Sequence, residues 1–102
     1  MKNAFRTYDL AVQFYRLAQP LRLRRHLKDQ LDRAAASIVL NLSEGSGRHT
    51  RTDQKKFFAI AFGSLRECQA ILDLAGAQNT PVWNTADLLA AHLYRLIQNC
   101  AG

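Results

Sequence analysis

The stretch Arg33-Ala34-Ala35-Ala36-Ser37-Ile38-Val39-Leu40-Asn41-Leu42-Ser43-Glu44-Gly45-Ser46-Gly47-Arg48 decides the fold of this chain. It begins as a helix with almost no polar side. Ala34, Ile38 and Leu42 form one apolar row, and Ala36 and Leu40 occupy the opposite face with Val39 alongside. A helix that is apolar on all sides is buried on all sides. This half is therefore expected under other helices or in a subunit interface, which points to an oligomer. Gly45 and Gly47 are expected to stop the helix, because glycine accepts the left-handed conformation common just past a helix end. A basic turn follows.

Upstream, the same helix is expected to start near Leu21, with Leu23, Leu27 and Leu31 extending its apolar row. Its first half keeps a polar face of Arg22, Arg25, His26, Asp29 and Arg33. A first helix is expected from Phe5 to Ala18. Tyr8, Ala11, Val12, Tyr15 and Ala18 recur there at helical spacing, beside Leu10, Phe14 and Leu17. Pro20 closes it, since proline restricts the residue before it.

Downstream, Thr50 is a candidate cap, with Asp53 placed near the positive end of a third helix. That helix is expected from Thr52 to Ala75, on a stripe of Phe57, Phe58, Ala61, Leu65, Cys68, Leu72 and Ala75. Ala59, Gly63 and Ala70 lie on another face, where small residues admit a close neighbour. Gly76 to Asn84 read as a loop containing Pro81. A shorter fourth helix is expected from about Thr85, holding Leu89, Leu93, Leu96, Ile97 and Cys100, with Trp83 folding back on the bundle. No strand pattern, repeat or low-complexity run is present. Long helices on short connections make antiparallel neighbours. The fold class is all-α, an up-down antiparallel four-helix bundle forming one domain over residues 1–102.

Composition narrows the function. Hydrophobic residues are 48% of the chain, enough for a core, and the net charge of +6 favours polyanions or an acidic protein face. Cys68 and Cys100 lack metal-like spacing and sit on apolar helical positions, as buried thiols do in a reducing compartment. Met1 to Arg6 carry no signal-peptide pattern, and no segment approaches the ~20 apolar residues of a membrane span. A cytoplasmic protein is expected.

Chemistry-bearing clusters are few. His26, His49 and His92 fall apart from one another without ligand spacing, so no metal is expected. Gly45-Ser46-Gly47 lacks the lysine and spacing of a phosphate loop. Asn41 and Glu44 share a helical face, as do Ser64 and Glu67 near the inner side of the third helix. Two carboxylates can do acid–base work. A structural role fits better, as a polar network that sets helix register, with Arg48 neutralising Glu44. No enzyme and no cofactor are expected. The functional candidates are basic: Arg22, Arg24, Arg25 and Lys28 in one cluster, Arg48, His49, Arg51, Lys55 and Lys56 in another. They lie near opposite ends of the second helix and suit phosphate contacts with little base readout.

The pattern Arg33-Ala34-Ala35-x-Ser37-Ile38-x-x-Asn41-Leu42-x-Glu44-Gly45-x-Gly47-Arg48 resembles a known family when joined to Phe57, Phe58, Ala61, Gly63-Ser64-Leu65 and Glu67. This is the family of four helix bundle proteins encoded in 23S ribosomal RNA intervening sequences. Phe5-Arg6-x-Tyr8-x-Leu10-Ala11 and Leu93-x-x-Leu96-Ile97 look similar to it too. The accessory variability protein of diversity-generating retroelements shares the fold. The resemblance implies a homopentameric, barrel-like ring; in the retroelement relatives a basic surface engages a reverse transcriptase and its RNA. The chain departs from the pattern where Arg22 to His26 are unusually basic and where Asp32 stands in place of a basic residue. Together these features lead to the expectation of a non-enzymatic oligomer that binds RNA or a ribonucleoprotein. The alternative is an adaptor whose ring docks an acidic protein partner.

Overall fold

The computed structural model describes residues 2–100, with side chains from Ala4 onward. Four helices follow in order: α1 (Lys2–Ala18), α2 (Arg25–Ser46), α3 (Arg51–Leu74) and α4 (Pro81–Asn99). No strand occurs among the described residues. Each helix packs on its sequence neighbours, and α1 also packs on α4, which closes a square. The molecule is 40 Å long and about half as wide, at 22 × 18 Å. One end gathers the α1–α2 and α3–α4 connections. The other gathers the start of α1, the α2–α3 turn and the end of α4.

The core is continuous. Leu31, Ala34, Ala35, Ile38 and Leu42 of α2 meet Phe58, Ala61, Leu65, Cys68, Ile71 and Leu72 of α3. From α4 come Val82, Ala86, Leu89, Leu93 and Leu96. The buried row of α1 is Ala4, Thr7, Ala11, Phe14 and Ala18. It is rotated from the expected one, which leaves Tyr8, Val12 and Tyr15 only half-buried and Phe5 outside. Three-and-four spacing keeps Phe14 and the alanines on one face, whereas the tyrosines lie on its flank.

Both ends of α2 differ from expectation. It starts at Arg25, and Leu21 to Arg24 are not helical. The first turn holds no acidic residue, and Arg24 at the cap makes no side-chain hydrogen bond. Positive charge at a helix N-terminus opposes the helix dipole, so nothing favours winding earlier. Leu21 and Leu23 still pack on the core, while Arg22 and Arg24 between and beyond them face solvent.

At its other end α2 runs through Gly45 to Ser46, with neither glycine left-handed; Gly47, the cap, has φ −87°. Gly45 is there for space. A Cβ on it would lie 2.6 Å from a ring carbon of Phe58 and 3.1 Å from the Phe57 Cβ. The left-handed glycine is Gly76, φ +68°, just past α3. There the Ala77 amide donates to the Leu72 carbonyl and the Gly76 amide to the Asp73 carbonyl, both at 3.0 Å.

The caps of α3 and α4 follow one logic. The Thr50 Oγ1 accepts from the Asp53 amide at 3.1 Å, as its sequence position implied. The Thr80 Oγ1 accepts from the Trp83 amide at 3.3 Å. Pro81 thus opens α4 instead of sitting in a loop, because a first-turn residue needs no amide donor. At 19 residues α4 is shorter than α2, with 22, and α3, with 24, as expected.

The apolar second half of α2 is not covered on every side within one chain. Its neighbours are α1 and α3 only. Leu40 is 66% exposed, and Ala36 and Val39 are half-buried.

Candidate nucleic-acid interface

The α2–α3 seam sets the register of everything around it. The Ser37 and Ser64 hydroxyls hydrogen-bond at 2.9 Å across the two helices. The Asn41 amide donates to the Ser37 carbonyl at 2.9 Å and to the Ser37 Oγ at 3.1 Å. Asn41 and Ser64 therefore meet through Ser37, a residue whose role the linear pattern does not reveal. Glu44 and Glu67 do not join this network. Both are exposed, and Glu67 lies on the outside of α3, not toward its inner side. Glu44 pairs with Arg48 at 2.7 Å.

The two basic clusters stand at opposite ends of the bundle, separated by the length of α2, about 33 Å. Their charges are used differently. At the α2–α3 turn, Arg48 pairs with Glu44 and also lies 4.7 Å from the centre of the Phe57 ring. Arg51 donates to the carbonyl of Asn99 at 2.9 Å and so satisfies the end of α4. Lys55 and Lys56 remain exposed with no partner among the described residues, as do His49 and Arg6.

At the α1–α2 end the pattern reverses. Lys28 is engaged by Asp32 at 2.7 Å. Arg22, Arg24 and Arg25 are exposed and make no ion pair or side-chain hydrogen bond among the described residues. They surround the first turn of α2, whose free amides point the same way as their charge.

Open pockets lie between α1 and α2. The one near the α2–α3 turn has a volume of about 320 Å³ and is lined by Ala4, Phe5, Tyr8, Ser43 and Ser46. Farther along, Val12, Tyr15, Arg16, Ala36, Val39 and Leu40 enclose about 330 Å³. Phe5 is exposed because position 5 falls outside the buried row Ala4, Thr7, Ala11, Phe14 and Ala18.

Two further observations bear on catalysis and thiols. Among the described residues no group of three or more His, Cys, Asp or Glu comes together. Burial, with the Glu67 charge acting in the same direction, pushes the Cys68 thiol up to about 12, so it stays protonated. Cys100 is free and half-buried. No helix among the described residues is long and apolar enough to cross a membrane.

The family model for the 23S rRNA-intervening sequence protein matches residues 3–81. The chain belongs to that family. No curated protein and no solved structure matches it. The match takes in α1 from its second residue, α2, α3 and all three connections, and it ends on the first residue of α4. The similarity seen at Leu93, Leu96 and Ile97 thus lies beyond the matched segment.

Proposed function

We propose that this member of the 23S rRNA-intervening sequence family is a non-enzymatic oligomer that binds structured RNA by its phosphates. The carrying observation is the start of α2, where Arg22, Arg24 and Arg25 hold three guanidinium groups, unpaired among the described residues, beside a helix N-terminus without a side-chain cap. Guanidinium forks suit phosphate oxygens, and helix N-termini favour anions. Lys55 and Lys56 add charge at the far end. No helix-turn-helix, zinc-finger or RRM signature accompanies these basic residues in the sequence, so phosphate contacts carry the affinity in this reading.

Self-association is part of the reading. The outer face of α2 leaves Leu40 in an apolar groove with Val12, Tyr15 and Val39, and a second copy is the natural cover for it. A ring of five is the assembly the family resemblance implies. A ribonucleoprotein or reverse transcriptase as the larger partner also comes from that resemblance alone.

The test is binding to a structured RNA over a salt series, with light scattering on the same sample. Affinity must fall steeply as salt rises. Affinity that is absent at low salt, or flat across the series, sinks the RNA reading. A clean monomer sinks the oligomer. A protein partner that is retained after nuclease treatment, with no RNA affinity, favours the adaptor reading.

A further inference from the structure

We infer that the pocket formed by Phe5, Tyr8, Ser43 and Ser46 takes an unpaired nucleobase of the bound RNA. The inference rests on the RNA reading above and adds what part of the RNA this end recognises. Phe5 is 69% exposed, the most exposed aromatic side chain among the large hydrophobics left outside the core. It lines a pocket of about 320 Å³ together with the Tyr8 ring. That is near the lower limit of ligand pockets, roughly 300–1,000 Å³, and suits a single planar ring system. Nothing in the core requires Phe5, because the buried row of α1 passes through Ala4 and Thr7.

The remaining lining is polar in a useful way. Ser46 donates to the Leu42 carbonyl at 2.8 Å, which leaves its oxygen able to accept a second hydrogen bond. Ser43 is exposed and has no partner among the described residues. Two hydroxyls at the foot of an aromatic wall can meet a base edge or a ribose hydroxyl. A stacked base needs no particular sequence, since every base has a π-face.

Charge chooses the occupant. The bundle end that holds this pocket also carries Arg6, His49, Lys55 and Lys56, none of them paired among the described residues. A second copy of a chain with net charge +6 would bring like charge to this end. A nucleotide brings the opposite charge together with a flat apolar face. The Leu40 groove differs: its lining is mainly aliphatic, which suits a protein surface. Basic residues interleaved with exposed aromatics are the pattern of surfaces that hold unstacked strands.

The experiment compares a single-stranded oligouridylate, the same strand with abasic sugars, and a blunt RNA duplex of equal length. Each is titrated against the full chain carrying no N-terminal tag and against Phe5→Ala. The expected result is about a ten-fold loss of oligouridylate affinity in Phe5→Ala, the size of one stacked base. Duplex affinity should not change, and abasic strand should bind the unaltered chain as weakly as oligouridylate binds the variant. Phe5→Tyr should restore binding. Equal losses on strand and duplex, or none on either, overturn the inference while phosphate binding stands. A changed subunit number in Phe5→Ala also overturns it, by giving Phe5 to a contact between copies. No affinity for any of the three RNAs removes the RNA reading itself.

Discussion

The two ends of the bundle carry similar numbers of basic residues and differ in how many are free. Around the α2–α3 turn the chain is wound into helix on both sides. There Arg48 is spent on Glu44 and the Phe57 ring, and Arg51 on the Asn99 carbonyl at the end of α4. At the α1–α2 connection Arg22, Arg24 and Arg25 make no ion pair or side-chain hydrogen bond among the described residues and stay open. Net charge alone therefore does not locate an anion-binding surface. What matters is which cations the fold has already satisfied.

The largest test of that contrast replaces Arg22, Arg24 and Arg25 together by alanine. RNA affinity should fall at low salt, and the slope of log affinity against log salt should shrink by about one for each phosphate no longer neutralised. The thermal midpoint should hardly move, because these side chains are exposed and make no ion pair or side-chain hydrogen bond among the described residues. A variant that unfolds, or keeps its full salt slope, breaks the comparison.

Next in size is Gly45→Val. A branched side chain there meets the Phe58 ring and must push α2 off α3. Overpacking of this kind costs roughly 1–3 kcal/mol, read as a lower urea midpoint. Gly63→Ala is the control, since nothing lies within 4 Å of a Cβ there. It should raise stability by up to about 1 kcal/mol, the helix-propensity difference. If a second copy packs on Gly63, it will lower the subunit number instead.

Arg48→Ala and Arg51→Ala come third. The Arg48–Glu44 pair is partly exposed, so its loss costs about 0.2–1 kcal/mol. Loss of the Arg51 cap on Asn99 is of similar size, about 0.5–1.5 kcal/mol for a hydrogen bond. Both should lower the denaturant midpoint with a smaller effect on RNA affinity than the variant at Arg22, Arg24 and Arg25. Arg51→Ala should also speed alkylation of Cys100, which follows the released end of α4, and leave Cys68 unreactive. The reverse ordering, affinity lost and stability kept, would show that both arginines leave their intramolecular partners to hold RNA.

The smallest effect concerns pH. The folded state holds the Cys68 proton to about 12, against an ordinary value of 9.0. The unfolded chain gives up that proton first. Stability from this group is therefore complete below about pH 9 and is lost as pH rises toward 12. Cys68→Ala should flatten the alkaline part of a urea-midpoint profile, although the smaller side chain lowers the midpoint at every pH.

Much of the fold was legible because helical periodicity reports which side is buried. Leu31, Ala34, Ile38 and Leu42, and likewise Phe58, Ala61, Leu65 and Leu72, fall where their spacing places them. Thr50 with Asp53 marked a helix start through chemistry local to four residues. Reading failed where a residue had two possible uses. Gly45 looked like a stop and is a contact, because a missing Cβ serves either purpose and only Phe58 shows which. Pro81 looked like a loop residue and opens α4. Leu21 to Arg24 continued the leucine pattern, yet alternate burial in a non-helical connection satisfies the same leucines at 21 and 23.

The sequence by itself determined four helices, their order, most of their buried faces and an excess of positive charge, since each depends on local spacing and composition. Only the tertiary structure decided which charges are free. That depends on what folds back within hydrogen-bonding distance: Asn99 lies 48 residues from Arg51 and still takes its charge, while Arg24 has solvent for a neighbour.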